Sequence, residues 1–102
     1  MKLSKSLLND SKYPNPFKYE TQFGFEVNKN ALVKIKIFTI AGELISELEP
    51  LESFYGYSHI DWDGRDYYGD IIANGVYLYQ ITATSIDDAE ESMKIGKAAK
   101  YR

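Results

Sequence analysis

Regular alternation of apolar and polar side chains is the feature of this sequence that most restricts its fold. In the segment "VKIKIFT", Val33, Ile35 and Ile37 fall on one side of an extended chain, while Lys34 and Lys36 fall on the other. A period of two residues is typical of a β-strand with one buried face, whereas an amphipathic helix repeats its apolar positions every three or four residues. The segment is therefore predicted to be a strand whose Val and Ile side chains enter the core.

Similar patterns predict further strands along the chain. The segment "TQFGFEV" alternates in the same way, and the predicted strands besides "VKIKIFT" are 21–27, 43–48, 56–63, 75–85 and 92–102. Residues 49–54 are predicted to be a loop, and the acidic residues 86–91 a turn. In the last strand, Met93 and Ile95 are predicted to face the core. Six or seven short strands without an amphipathic helix predict an all-β fold, an immunoglobulin-like antiparallel β-sandwich.

The domain organisation follows from length and from the polar N-terminus. A chain of 102 residues is the size of one domain. Residues 1–12 are polar and aperiodic, so we predict a linker there and place the sandwich domain at 13–102. Pro14 and Pro16 lack N–H donors, which predicts an edge segment or entry loop. The N-terminus lacks the apolar stretch of a signal peptide, so we expect an exported form to be part of a longer protein.

Composition excludes several classes of protein. The formal net charge of −3 argues against a nucleic-acid surface, which needs a cluster of excess Lys and Arg. The sequence has no Cys, and therefore no disulfide and no Cys-based zinc site. No apolar run is long enough to predict a membrane span.

The acidic stretch "IDWDGRDYYGD" at 60–70 has two interpretations. The first is a metal site, because carboxylates are the ligands that Ca²⁺ prefers. A weak calcium candidate consists of Asp61, Asp63 and Asp66, and His59 alternates on the same face of the strand as the first two. The spacing departs from a calcium loop of the EF-hand type, since Gly64 follows the second acid rather than the third.

The second interpretation is turn chemistry, and the residue types favour it. Asp63-Gly64 and Gly69-Asp70 are turn dipeptides, because Asp caps nearby N–H groups and Gly accepts positive φ. Asn74-Gly75 is a strong short-range signal for a β-hairpin. Trp62 would then fill the core between carboxylates that stay in water or pair with Arg65.

The residues offer no catalytic or cofactor site. The only His is His59, and neither a nucleophile elbow nor a phosphate-binding loop is present. The sequence therefore predicts a protein that is not an enzyme and needs no cofactor. Nine Tyr residues leave carbohydrate binding open as a lesser alternative, although on strands they are typical of core and sheet faces.

Three motifs in this order resemble a known family. They are "YPNPF" at 13–17, "VKIKIFTIAGELI" at 33–45 and "WDGRDYYGDIIANGVYLYQI" at 62–81, followed by a basic last strand. The chain resembles the bacterial C-terminal immunoglobulin-like domains, which include the type IX secretion (Por system) sorting domains and the domain of the flagellar hook-capping protein. The residues that carry the resemblance as a fold signature are Tyr13, Pro14, Asn15, Pro16, Phe17, Trp62, Asp63, Gly64, Arg65, Asp66, Gly75, Tyr77 and Tyr79.

This resemblance implies a non-catalytic C-terminal domain of a larger secreted or surface protein. In the sorting branch, the domain is a signal, recognised through its last strand, that directs the N-terminal cargo domain through the periplasm to the cell surface. Its implied partners are the outer-membrane secretion machinery and a sortase-like peptidase that cuts before Tyr13. The implied recognition residues are Lys94, Ile95, Lys97, Lys100, Tyr101 and Arg102. In the hook-cap branch, the domain instead packs on a catalytic neighbour or mediates assembly.

Overall fold

Two antiparallel β-sheets make up the part of the chain that the structure, a computed structural model, describes: residues 11–13 and 16–101. The strands are β1 (Ser11–Tyr13), β2 (Thr21–Val27), β3 (Ala31–Thr39), β4 (Leu44–Glu47), β5 (Leu51–Ser53), β6 (Gly56–Trp62), β7 (Gly75–Ser85) and β8 (Glu91–Lys100). The small sheet has the order β1-β2-β6. The large sheet has the order β4-β3-β7-β8, and β5 also pairs with β3. The predicted all-β, immunoglobulin-like sandwich is confirmed.

The core lies between the inner faces of the two sheets, where the alternating residues predicted it. Phe23 and Phe25 of β2 are buried, as are Ile35 and Ile37 of β3. The aromatic rings bridge the sheets, since the centroids of Phe23 and Tyr79 lie 4.9 Å apart. Burial of such side chains supplies the main favourable free energy of folding.

Several element boundaries differ from the predicted ones. The predicted loop at 49–54 contains β5, because Leu51 pairs with Val33 and extends the large sheet. Strand β1 begins at Ser11, so it takes up the end of the segment predicted to be a linker. The rest of that linker, 1–10, lies outside the described residues.

The prediction of a β-hairpin at Asn74-Gly75 is wrong. Strand β6 belongs to the small sheet and β7 to the large one, so residues 63–74 cross from one sheet to the other. The Tyr77 hydroxyl fastens the end of the crossing by donating to the Ala73 carbonyl oxygen at 2.7 Å, and burial raises the pKa of this phenol. Turn dipeptides report local backbone conformation, and they do not specify which sheet the next strand joins.

An ion-pair cluster ties the β2–β3 turn to the β7–β8 turn. The Lys29 Nζ lies 2.7 Å from an Asp88 carboxylate oxygen and 3.1 Å from a Glu90 carboxylate oxygen. The hydrogen bond from Lys29 holds the pKa of Asp88 well below its usual value, and hydrogen bonds from the Glu90 main chain and the Ser85 side chain add to this effect. In turn, the hydrogen bond to Asp88, with that to Glu90, raises the pKa of Lys29.

The Asp88→Asn variant is expected to change how stability depends on acid. A depressed carboxyl pKa contributes stability above the unfolded-state value of about 4, and this contribution disappears as the pH falls through the folded-state value. The wild type should therefore exceed Asp88→Asn in melting temperature at pH 7, and the difference should shrink steadily below about pH 4. Thermal unfolding from pH 7 to pH 2 tests this, and a constant difference would contradict it. Asp87→Asn, which changes an exposed carboxylate in the same turn, is the control.

Candidate functional site

Strand β8 contains most of the predicted recognition residues and lies at the edge of the large sheet. It pairs with β7 without a register shift, from Thr84 opposite Glu91 to Gly75 opposite Lys100. Beyond β8 the sheet has no further strand in the described part of the chain. An edge strand presents a row of main-chain N–H and C=O groups to a partner.

The prediction that Met93 and Ile95 face the core is wrong. Both side chains lie on the outer surface, and Ile95 is 62% exposed. The inward positions of β8 are set by its register, which places Gly96 opposite the buried Tyr79 and Ala98 opposite Tyr77. A Cβ at position 96 would overlap the Tyr79 ring, so this face of β8 has small residues where aromatic rings cross it. The larger Met and Ile side chains consequently face outward.

The C-terminal end of β8 is held by the segment that precedes β2. Phe17 forms a parallel bridge there: its N–H donates to the Ala99 carbonyl oxygen at 2.9 Å, and its own carbonyl oxygen accepts from the Tyr101 N–H at 2.9 Å. The buried Lys100 side chain donates to the Lys18 carbonyl oxygen at 2.8 Å. This end of the edge is therefore covered.

The predicted recognition residues do not form one surface. Ile95, Lys97 and Tyr101 alternate on the outer side of β8, and all three are exposed. Lys94 is also exposed, but it lies on the other face of β8, because its register partner in β7 is the buried Ile81. The Lys100 side chain is buried, with its ammonium 5.7 Å from the centroid of the Tyr19 ring. Arg102 lies outside the described residues.

The main chain of the central part of β8 faces outward at alternate residues. Ala99 and Tyr101 direct main-chain groups toward Phe17, away from β7. Because a strand repeats every two residues, the N–H and C=O groups of Ile95 and Lys97 point to the same outer edge. No neighbouring strand of the described residues covers them there.

Turn hydrogen bonds occupy the carboxylates of the stretch that follows Trp62. Asp63 Oδ1 accepts the Arg65 N–H at 3.1 Å. Asp66 Oδ1 accepts the main-chain N–H groups of Tyr68 at 2.9 Å and Asp70 at 3.0 Å. The Arg65 guanidinium donates to the Gly69 carbonyl oxygen at 2.7 Å, which closes the turn. These are the contacts that turn chemistry requires of Asp and Gly.

The two signature motifs pack on each other. Trp62 is buried with its ring centroid 5.5 Å from that of Phe17, and its Nε1–H donates to the Arg65 carbonyl oxygen at 3.1 Å. Gly64 has φ of +74° and lies so close to the Tyr19 carbonyl that no Cβ fits. The stretch after Trp62 therefore braces residues 17–19, the same segment that holds the end of β8. Pro14 and Asn15 of the first motif lie outside the described residues.

The three residues of the weak calcium candidate do not share one site. Asp61 lies on the outer face of the small sheet, 3.5 Å from His59, while Asp63 and Asp66 belong to the turns. Among residues 11–13 and 16–101, no group of three or more His, Cys, Asp or Glu is arranged to hold a metal ion. In this same part of the chain, no helix is long and apolar enough to cross a membrane.

Sequence reasoning missed Gly96, Lys18 and Tyr19, which position β8 without belonging to a motif. A Gly inside an alternating strand was the available signal for Gly96, since such a residue often marks the close approach of another group. Lys18 and Tyr19 act on Lys100 through a main-chain carbonyl and a ring face, respectively. Neither contact leaves a pattern in the sequence.

Comparison with known proteins finds a family and several similar folds. The model of the FlgD Ig-like domain matches residues 12–87. Comparison with curated proteins finds no match. FlgD from Xanthomonas campestris, whose structure is described as giving insights into the hook capping essential for flagellar assembly, is 26% identical with a TM-score of 0.58, and the match covers 91% of this chain and 64% of FlgD.

Two proteins of Porphyromonas gingivalis have a similar fold. Latent PorU, a dimer, has a TM-score of 0.73 at 24% identity, and the match covers 89% of this chain and 9% of PorU. PorZ, described as an essential bacterial surface component of the type IX secretion system, has a TM-score of 0.50 at 21% identity. That match covers 92% of this chain and 12% of PorZ, so the chain spans only a small part of either protein.

Proposed function

The chain belongs to the FlgD Ig-like domain family, and from this premise we propose that it is a non-catalytic C-terminal module of a larger secreted or surface protein. Its role is to act as a type IX secretion and sorting signal for the domain that precedes it. The observation that carries this proposal is the open outer edge of β8 at Ile95 and Lys97. The similar fold of PorZ, a surface component of that secretion system, supports the same direction.

The recognition mechanism in this proposal is strand addition. The secretion machinery of the outer membrane pairs an extended segment with the outer edge of β8, since unpaired main-chain groups there accept a neighbouring strand. Ile95 supplies an apolar contact on the outer face, and Lys97 sets orientation and association rate. Because Lys100 is buried beneath residues 17–19, its role is to hold the end of β8 in place. A sortase-like peptidase would act in the segment before β1.

The Ile95→Pro variant tests the proposal. Proline at this position removes an N–H that points away from β7, so the ladder between β7 and β8 stays intact. A reporter protein carrying residues 1–102 at its C-terminus is expressed in a host with a type IX system. We expect surface delivery of the reporter to fall by about tenfold or more with Ile95→Pro, and the reporter to accumulate in the periplasm. Removal of 94–102 is a poorer test, because it also removes the buried Ala98 and Lys100.

Two controls separate recognition from folding in this experiment. Ile95→Val keeps the outward N–H and an apolar, β-branched side chain, and it should preserve export. Ala98→Ser places a hydroxyl group on the buried face of β8, so it should lower the melting temperature while leaving the outer edge unchanged. If Ile95→Pro reaches the surface as efficiently as the wild type, with its melting temperature retained, sorting through this edge is wrong.

A second candidate is an accessory domain that packs on its neighbour. Three aromatic side chains lie close together in the sequence and are largely exposed: at least 67% of the surface is accessible for each of Phe54, Tyr55 and Tyr57. They lie near the Val27 end of β2, because Gly56 pairs with Val27 and Tyr57 with Glu26. Strand β1 begins nearer to this end than it finishes, since Ser11 pairs with Gly24 and Tyr13 with Gln22. Under this alternative, the triple change of these aromatics to Ser lowers the stability of the preceding domain and leaves export unchanged.

A further inference from the structure

A groove opens on the side of the sandwich away from β8, between the edges of β4 and β6. Each of these strands is the last of its sheet along the main strand order, so the two sheets are not joined there. The cavity has a volume of about 740 Å³. Leu48, Ile60 and Trp62 are its apolar lining residues, and the latter two belong to the core. Pockets that bind ligands typically have volumes of about 300–1,000 Å³.

The rim of the groove is strongly acidic. Among the described residues, the carboxylates that line it are Glu20, Glu47, Glu49, Asp61 and Asp63, and none of these lining residues is Lys or Arg. Asp63 uses one oxygen in its turn, and Glu47 accepts a hydrogen bond from the Tyr67 hydroxyl at 3.3 Å. The surplus of negative charge around an apolar floor complements a ligand that combines apolar side chains with cationic ones.

The outer edge of β4 adds main-chain groups to the groove. The Ile45 carbonyl oxygen points away from β3 and accepts the Tyr67 N–H at 2.9 Å, whereas the Leu48 N–H points toward β3 and donates to Ile35 at 2.9 Å. Residues two apart share a direction, so the N–H and C=O of Glu47 point outward like those of Ile45. Tyr67 closes one end of this edge, and the part at Glu47 borders the cavity.

We propose that this groove binds an extended segment of another protein in which Lys or Arg alternates with apolar residues. Alternation places the apolar side chains of such a segment toward Leu48, Ile60 and Trp62, and the cationic ones toward the rim. Its main chain pairs with Glu47. The site is distinct from β8 and operates whether or not the domain is a sorting signal.

The test uses the ¹⁵N-labelled chain and a synthetic peptide, acetyl-Val-Lys-Val-Lys-Val-Lys-Val-amide, which is about 23 Å long when extended. Two control peptides are used. In the first, Glu replaces each Lys, and in the second, the block peptide, the composition is unchanged but all Lys residues lie at one end. Amide chemical shifts are followed at low salt during titration to about 2 mM peptide, a range that detects weak association. We expect changes confined to residues 47–49 and 60–63, with binding by the alternating peptide at least about fivefold tighter than by the block peptide.

Matched variants then assign the charge effect. Glu47→Gln with Glu49→Gln should weaken binding by about tenfold. Glu43→Gln with Glu52→Gln changes the net charge equally at exposed positions outside the groove, and it should leave the affinity within about twofold. Equal weakening by both pairs, equal binding of alternating and block peptides, or no localised shifts would each overturn the proposal.

Discussion

Replacing Trp62 with alanine is expected to lower the free energy of unfolding by about 4 kcal/mol, because truncating a buried Trp removes its transfer free energy and leaves a cavity. Trp62 is 2% exposed and its ring packs on Phe17 and Phe23, with centroids 5.5 and 6.2 Å away. Its indole N–H also ties the core to the turn through Arg65. A domain of this size is typically stable by about 5–15 kcal/mol, so the loss takes away between a quarter and most of the total stability.

Urea unfolding measures this effect. It is followed by far-ultraviolet circular dichroism, because Trp62 is the only Trp in the chain and the alanine variant therefore has no Trp fluorescence to follow. Trp62→Phe retains an aromatic ring in the core and should cost less than the alanine change. Tyr57→Ala is the surface control, because this ring is 73% exposed and its loss should change stability by no more than about 0.5 kcal/mol. A similar loss for Trp62→Ala and Tyr57→Ala would contradict the core role of Trp62.

Gly96→Ala is expected to be nearly as damaging, with a loss of about 3 kcal/mol for the addition of one methyl group. The Cβ would overlap the ring of Tyr79, which is 2% exposed and packs on Phe23. The ring cannot turn away without disturbing the contact between the two sheets, so β8 must shift instead. This outcome reverses the usual expectation that alanine is better than glycine in a strand interior.

A double-mutant cycle with Tyr79→Leu identifies the cause. If the ring is what excludes a Cβ, Gly96→Ala should cost at least about 1 kcal/mol less when Tyr79→Leu is already present. Lys97→Ala, on the exposed side of the same strand, is the control and should be within about 0.5 kcal/mol of the wild type. Additive effects of Gly96→Ala and Tyr79→Leu would show that the steric account is wrong.

The two candidate binding surfaces lie at opposite sides of the large sheet. Strands β4 and β8 are the ends of its strand order, separated by β3 and β7. The outer edge of β8 is flanked by Lys97, whereas the groove beside β4 is rimmed by carboxylates. Partners of opposite charge would therefore be steered to different edges, and one domain has room for both.

Much of the fold was predictable because burial follows a local pattern. Alternation in "TQFGFEV" and "VKIKIFT" identified β2 and β3 and the faces that they bury. The turn chemistry of Asp63-Gly64 was also readable, since Asp and Gly act on main-chain groups only a few residues away. Strand β5 was missed because Leu51–Ser53 is too short to show a period.

The amino-acid sequence by itself determined the all-β class, the inward faces of the long strands and the turns, because each depends on neighbours along the chain. Only the tertiary structure decided which face of β8 is buried, that Lys100 is enclosed beneath residues 17–19, and that residues 63–74 cross between sheets. The same holds for the acidic groove, whose walls come from both sheets. These features depend on which strands become neighbours. That choice is set by contacts between residues far apart in the chain, such as Gly96 beneath Tyr79, and such contacts leave no local periodicity to read.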